Sequence, residues 1–177
     1  MGGELTLEQL IAFLMDAPMF GDLGSSELSE LVGALQVRSH SPGEWVFREG
    51  DAGDAWYVLY EGEVEVVKEA QGAERVIAML GRRACFGEMA ILDGSPRSAS
   101  VRATQPSTAL RFPRSSFTRL LAEGNLGAYK LVHQIALVLV SRQRRTTARL
   151  VEALAAGDQA SLAELIGPLV DRSAVAE

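Results

Sequence analysis

Apolar positions recur every three or four residues at both ends of the chain and every second residue in its middle. Leu7, Leu10, Ile11 and Leu14 stand at helical spacing behind Thr6, an N-capping residue type, and Pro18 and Gly21 end that segment. A second helix is predicted over Ser25–Leu35. Leu28, Leu31, Val32 and Leu35 make its apolar face, and Ser26 with Ser29 and Glu30 offers capping chemistry. Residues 1–41 are therefore expected to form an N-terminal helical segment.

The texture changes at Ser41-Pro42-Gly43. Glycines recur at 43, 50, 53, 62, 72, 81, 87 and 94. Between them lie β-type runs: Trp45–Phe47, Trp56–Tyr60, Val64–Val67, Val76–Leu80, Val101–Ala103 and Ala109–Phe112. Short strands at this interval predict an antiparallel sandwich or barrel. Gly62 predicts a tight hairpin and Gln71-Gly72 a longer one. Helical spacing returns at Arg114 in a short helix closed by Gly124-Asn125. A long helix follows from about Leu126 to Ala156, striped by Leu131, Ile135, Val138, Leu139, Leu150 and Leu154. Its middle is basic, with Arg142, Arg144, Arg145 and Arg149. Gly157 stops it, and Ser161–Ile166 predicts one more short helix before Gly167-Pro168. The expected fold class is α+β, mainly β. It is an antiparallel β-roll or jelly-roll barrel over 42–113, flanked by N-terminal helices and by C-terminal helices over 114–177.

Composition narrows the function classes. The chain has 177 residues, 47% of them apolar and 23% charged, which suits one packed domain with appendages. A net charge of −6 argues against a nucleic-acid binder relying on overall charge. Cys85, the single cysteine, rules out an internal disulfide and a cluster held by several cysteines. It is expected to be a small buried apolar residue. His40 and His133 are too few for a metal cluster, so no metal site is expected. Met1-Gly2-Gly3-Glu4 shows no basic stretch before an apolar run, and no run approaches the ~18–20 residues that span a bilayer. A cytoplasmic location without membrane contact is the expectation.

The stretch Phe86–Ser100 carries the chemistry. It sets Glu88 and Arg97 around the apolar Ala90, Ile91 and Leu92. That combination suits a pocket with an apolar floor and two polar groups facing a small anion. Gly87-Glu88 is placed where a strand gives way to a helical turn, whose free N–H groups attract phosphate. Pro96 fixes the backbone before Arg97, and a guanidinium binds two phosphate oxygens at once. Glu88 only accepts hydrogen bonds, so beside a phosphate it favours ribose over deoxyribose. The Ser98 hydroxyl and the Ala99 N–H add donors, and small side chains at Ala99 and Ser100 leave room. Either charged residue alone is ordinarily a solvated surface group; together they favour a binding site. Trp45 and Trp56, both in strand texture, are expected in the core. The cluster Arg142–Arg149 is a solvated helix face or a contact with a bound base or partner.

Phe86–Ala103 resembles the phosphate-binding cassette of cyclic nucleotide-binding domains, as in the cAMP receptor protein family and the regulatory subunits of protein kinase A. Ser41–Asp51, Tyr57–Val66 and the lead-in Pro18–Leu23 are similar too, so the resemblance covers about residues 18–140. It implies a non-catalytic, cofactor-free regulatory module with cyclic AMP or cyclic GMP as ligand. Glu88 would contact the ribose 2′-hydroxyl and Arg97 the cyclic phosphate. Phe86, Gly87, Met89, Ala90, Ser98 and Ala99 complete the ligand-binding set. The long helix would cap the base and carry the signal, with base contacts near Arg142, Gln143, Arg145 and Thr146. The choice between cyclic AMP and cyclic GMP stays open: a hydroxyl at Ser98 is compatible with contact to a guanine amino group in one base orientation, yet the cAMP receptor proteins also have serine there.

Two departures stand out. Arg82 and Arg83 occupy a turn where the family commonly has proline and glycine, which rearranges the pocket rim or adds positive charge near the phosphate. Only about twenty residues follow Ala156, too few for a winged helix-turn-helix, so DNA binding is not expected. The effector is then an unidentified protein. Two other function classes compete with this one. A metal enzyme on a cupin-like roll needs more histidines than two. A degenerate roll could instead serve as a nucleotide-independent scaffold that dimerises through the stripe from Leu131 to Leu154. A homodimer through that helix is equally compatible with the sensor.

Overall fold

Two four-stranded antiparallel sheets form the body of the protein. In the first, β1 (Gln36–His40), β8 (Ser107–Pro113), β3 (Ala55–Glu61) and β6 (Cys85–Phe86) lie side by side in that order. In the second the order is β2 (Trp45–Phe47), β7 (Ser100–Ala103), β4 (Val64–Ala70) and β5 (Ala73–Leu80). The computed structural model describes residues 5–70 and 72–155, with side chains for all of these except Ala90 and Ala153. The helix expected at Ser161–Ile166 and the Gly157 stop lie outside the described residues. The chain divides into two units, residues 1–135 and 136–177.

The period-2 pattern explains the layering. On β3, Ala55, Tyr57 and Leu59 point between the sheets, where they join Val64, Phe86, Val101, Ala103 and Ala109, with Phe47 and Leu80 packed against them. Trp56, on the opposite face of β3, is fully buried against the helical layer. Its ring stacks on Phe112 at 4.2 Å and lies 6.0 Å from Phe20 and 6.3 Å from Phe117. That layer comprises α1 (Leu7–Met15), a 3₁₀ turn (Pro18–Phe20), α2 (Ser25–Val32) and α4 (Arg114–Ala122). Both faces of β3 are thus covered, which is why its run is almost continuously apolar. The expected α+β roll with flanking helices is the observed fold.

Several local expectations are corrected. Residues 36–40 are not helical but form β1, paired in register with β8 from Gln36↔Arg111 to His40↔Ser107. Gly24, not Ser26, caps α2, and the Glu27 carboxylate accepts from the Gly24 N–H at 2.8 Å. Thr6 does cap α1, with a reciprocal Gln9 contact. Trp45 is only half-buried. It sits between the guanidinium groups of Arg48 and Arg102, each 4.6 Å from its ring, so cations cover the ring in place of a packed interior. Gly62 closes the β3–β4 hairpin with φ +96°, and Ser107 fills the space a side chain there would need. The long helix α5 spans Leu126–Ala155. Leu131 and Ile135 are fully buried, whereas Leu137, Val140, Val151 and Leu154 are exposed.

Candidate functional site

Strands β2 and β3, the loop of residues 50–54 and the Gly87 turn converge on Arg97. It follows the short helix α3 (Met89–Asp93) and precedes β7. Its backbone is pinned from both sides: the Arg97 N–H donates to the Asp51 carbonyl, and the Gly50 N–H donates to the Arg97 carbonyl, both at 2.9 Å. The side chain is 1% exposed. Nη1 donates to the Gly87 carbonyl at 2.9 Å, and Nη2 donates to the Ala55 carbonyl at 2.6 Å and to Asp54 Oδ1 at 3.2 Å. Phe47 lies flat beneath the guanidinium, 4.1 Å from Cζ, and Tyr57 stands 5.9 Å away. Nε is buried with no hydrogen-bond partner.

Glu88, 1% exposed, lies at the N-terminal boundary of α3. Gly87 before it has φ +75°, a left-handed conformation that glycine adopts without strain. Phe86 and Cys85 are buried, as expected for β6. Met89 is exposed at the start of α3. Glu88 and Arg97 are the two charged side chains expected to face an anion. Both are buried, and the guanidinium fork is turned onto backbone carbonyls because those carbonyls and Asp54 supply the acceptors that burial demands.

Burial works against that cation, and its neighbours offset part of the effect. Burial lowers the Arg97 pKa; Tyr57 and Asp54 oppose the shift, and Arg111 reinforces it. An arginine so placed stays charged across the physiological range. Asp54 bridges two cations, since its Oδ2 accepts from Arg111 Nη2 at 2.5 Å. Burial also presses Arg111 down, but the bonds to Asp54 and Tyr57 outweigh it and the pKa is raised.

The cassette edge is tied separately. Lys68 Nζ donates to the Ser98 carbonyl at 2.9 Å and to Glu49 Oε1 at 2.5 Å, while the Glu49 N–H donates to Ser100 Oγ at 2.8 Å. Phe47, Asp54, Lys68 and Arg111 were not legible as site residues. For Asp54 and Arg111 the one signal is charge in apolar company, Asp54 ahead of Ala55-Trp56 and Arg111 between Leu110 and Phe112.

The residues expected to contact a base are on a different unit. Arg142, Gln143, Arg145 and Thr146 lie in the helical segment 136–155, where the Thr146 hydroxyl donates to the Arg142 carbonyl at 3.1 Å. Arg82 and Arg83, the departures in the turn before the cassette, both turn to α1, as described below. Among the described residues no cluster of metal-ligating side chains occurs, and no helix is long and apolar enough to cross a membrane.

Comparison with known proteins agrees with this geometry. Residues 37–124 match the family model of the cyclic nucleotide-binding domain. A cAMP-dependent protein kinase regulatory subunit of Mycosarcoma maydis is 38% identical over 114 residues, which is 62% of this chain but only 22% of that protein. The crystal structure of a cyclic nucleotide-binding domain from Methylobacillus flagellatus superposes with a TM-score of 0.72 at 28% identity, covering 82% of this chain and 83% of that one. The regulatory domain of Toxoplasma gondii protein kinase A, co-crystallised with cAMP, gives 0.62 at 28% identity over 71% of this chain and 48% of that one. Through the roll and cassette of residues 37–124, the chain belongs to the cyclic nucleotide-binding domain family.

Proposed function

We propose that this chain senses a purine cyclic nucleotide, with cyclic AMP the first ligand to test and cyclic GMP the second. The observation that carries this is the buried Arg97 cation with an unsatisfied Nε–H, beside buried Glu88, inside a cassette of the matching family. A cyclic phosphate oxygen supplies the acceptor that Nε lacks, and a charge-assisted bond in so dry a site is worth about 1.5–3 kcal/mol. Glu88 accepts from the ribose 2′-hydroxyl. Phe86, Gly87, Met89, Ala90, Ser98 and Ala99 shape the rest, and no cofactor or metal takes part.

Ligand affinity that differs between two arrangements of cassette and α5 is what would move the equilibrium between them. The output then passes through α5 to an effector protein. Exposed Leu137, Val140, Val151 and Leu154 sit three, eleven and three residues apart, a heptad-compatible spacing that favours pairing of α5 with its copy. A thermal-shift series with cyclic AMP, cyclic GMP and acyclic AMP tests the ligand class. A rise in Tm with a cyclic nucleotide and none with AMP supports it. Equal shifts, or none at millimolar ligand, contradict it. Sedimentation with and without nucleotide tests the dimer.

A further inference from the structure

The turn Gly81–Ala84 leads from β5 into β6 and so into the cassette. Among the described residues, Arg83 alone of the non-glycines has a positive φ, 71°. Glycine would adopt that conformation freely, so the arginine needs another reason. Its side chain supplies one. Nη2 pairs with Asp16 Oδ2 at 2.6 Å, and Asp16 is the C-cap of α1. The neighbouring Arg82 lies over the Phe13 ring of α1 at 5.2 Å and over Tyr60 at 6.0 Å, and its Nε donates to the Tyr60 carbonyl at 3.2 Å. Phe13 and Tyr60 are themselves in contact, with ring centroids 4.6 Å apart.

The turn is equally firmly joined to the cassette. The Arg83 N–H donates to the Leu59 carbonyl at 2.7 Å, and the Leu59 N–H donates to the Ala84 carbonyl at 2.9 Å. Pairing continues with Val58↔Cys85 and Tyr57↔Phe86. The Tyr57 and Phe86 rings stack at 5.3 Å with an interplanar angle of 8°. Gly87 and Glu88 come next. The stretch from Arg83 to Glu88 is thus held against β3 along its first four residues, so a displacement at the turn is passed to the Glu88 backbone. Exposed ion pairs in isolation add little to stability. This one holds a strained residue whose Nε is buried without a hydrogen-bond partner, so stability alone does not account for it.

We propose that Asp16 and Arg83, assisted by Arg82 on Phe13, are positioning residues that make helix α1 part of the ribose-reading end of the site. They act through the backbone from Arg83 to Glu88. The proposal rests on the cyclic nucleotide reading above, and its consequence is selective: it concerns the group that Glu88 contacts, not the phosphate held by Arg97.

The test measures affinities of the full chain for cyclic AMP and 2′-deoxy cyclic AMP, and follows their ratio. Native protein prefers the ribo form. Asp16→Asn reduces that preference about two- to fivefold, the range expected of a partly exposed ion pair, while the affinity for the deoxy form holds. Asp16→Glu restores it. Arg83→Gly reduces the preference in the same direction with the Tm nearly unchanged, because relief of the left-handed strain offsets the lost pair. An unchanged ratio in Asp16→Asn and Arg83→Gly overturns the proposal, as does an equal loss for both nucleotides. If native protein binds neither nucleotide, the ligand reading itself falls and the positioning role with it.

Discussion

Arg97 Nη1 donates to the Gly87 carbonyl at 2.9 Å and stands 2.7 Å from the point where a Cβ on residue 87 would lie. Glycine at that position is therefore set by the guanidinium as much as by the backbone. The Phe47 ring, 3.3 Å from the same point, closes the other side. Gly87→Ala is expected to destabilise the fold by about 1–3 kcal/mol, combining left-handed strain with a clash the pinned guanidinium cannot easily relieve. Urea denaturation measures the loss. The same variant binds nucleotide more weakly than its stability alone predicts, because the Arg97 fork is displaced.

Asp54 offers one oxygen to each of two guanidinium groups, Arg97 at 3.2 Å and Arg111 at 2.5 Å. Asp54→Ala leaves two poorly solvated cations facing one another. Asp54 is itself well exposed, so the expected cost is about 1–2 kcal/mol, below that of breaking a fully buried pair. Adding Arg111→Gln to Asp54→Ala should recover part of it, which a double-mutant cycle by chemical denaturation checks.

Acid sensitivity follows from Glu27, whose carboxylate meets Lys130 Nζ at 2.8 Å and joins α2 to the start of α5. The Lys130 bond first and the Gly24 N–H second hold its pKa below the usual carboxylate value of 4.5, against a smaller opposing effect of burial. A depressed folded-state pKa contributes stability that is complete above the unfolded value and disappears as pH falls through the folded one. The native Tm should be level with respect to this group above about pH 5 and decline below that. In Glu27→Gln the decline should be shallower; an identical acid limb in the two proteins would contradict the assignment.

Much of this was legible because local pattern and tertiary need agree. Thr6 caps α1 as its type suggests, β3 is apolar on both faces, and Gly62 turns a hairpin. The failures share a cause in long-range pairing. Gln36-Val37-Arg38-Ser39-His40 has no strand alternation of its own and is a strand because β8 offers a free edge. Trp45 was expected inside, but its ring is covered by Arg48 and by Arg102 from β7. Glu88 and Arg97 stand out in sequence, whereas Asp54, 43 positions before Arg97, becomes a partner only once β3 passes under the cassette. Burial of the Arg97 guanidinium is equally invisible to spacing, because it depends on carbonyls of Gly87 and Ala55 that any sequence would carry.

Isothermal titration of the full chain with cyclic AMP, alongside Arg97→Ala at matched folded fraction, tests the ligand assignment most directly. Saturable binding of one nucleotide per chain is expected, weakened about 10- to 150-fold in the variant by loss of a charge-assisted contact worth about 1.5–3 kcal/mol. Absence of heat at millimolar cyclic AMP and cyclic GMP with the native fold intact, or equal binding by native protein and Arg97→Ala, would contradict it.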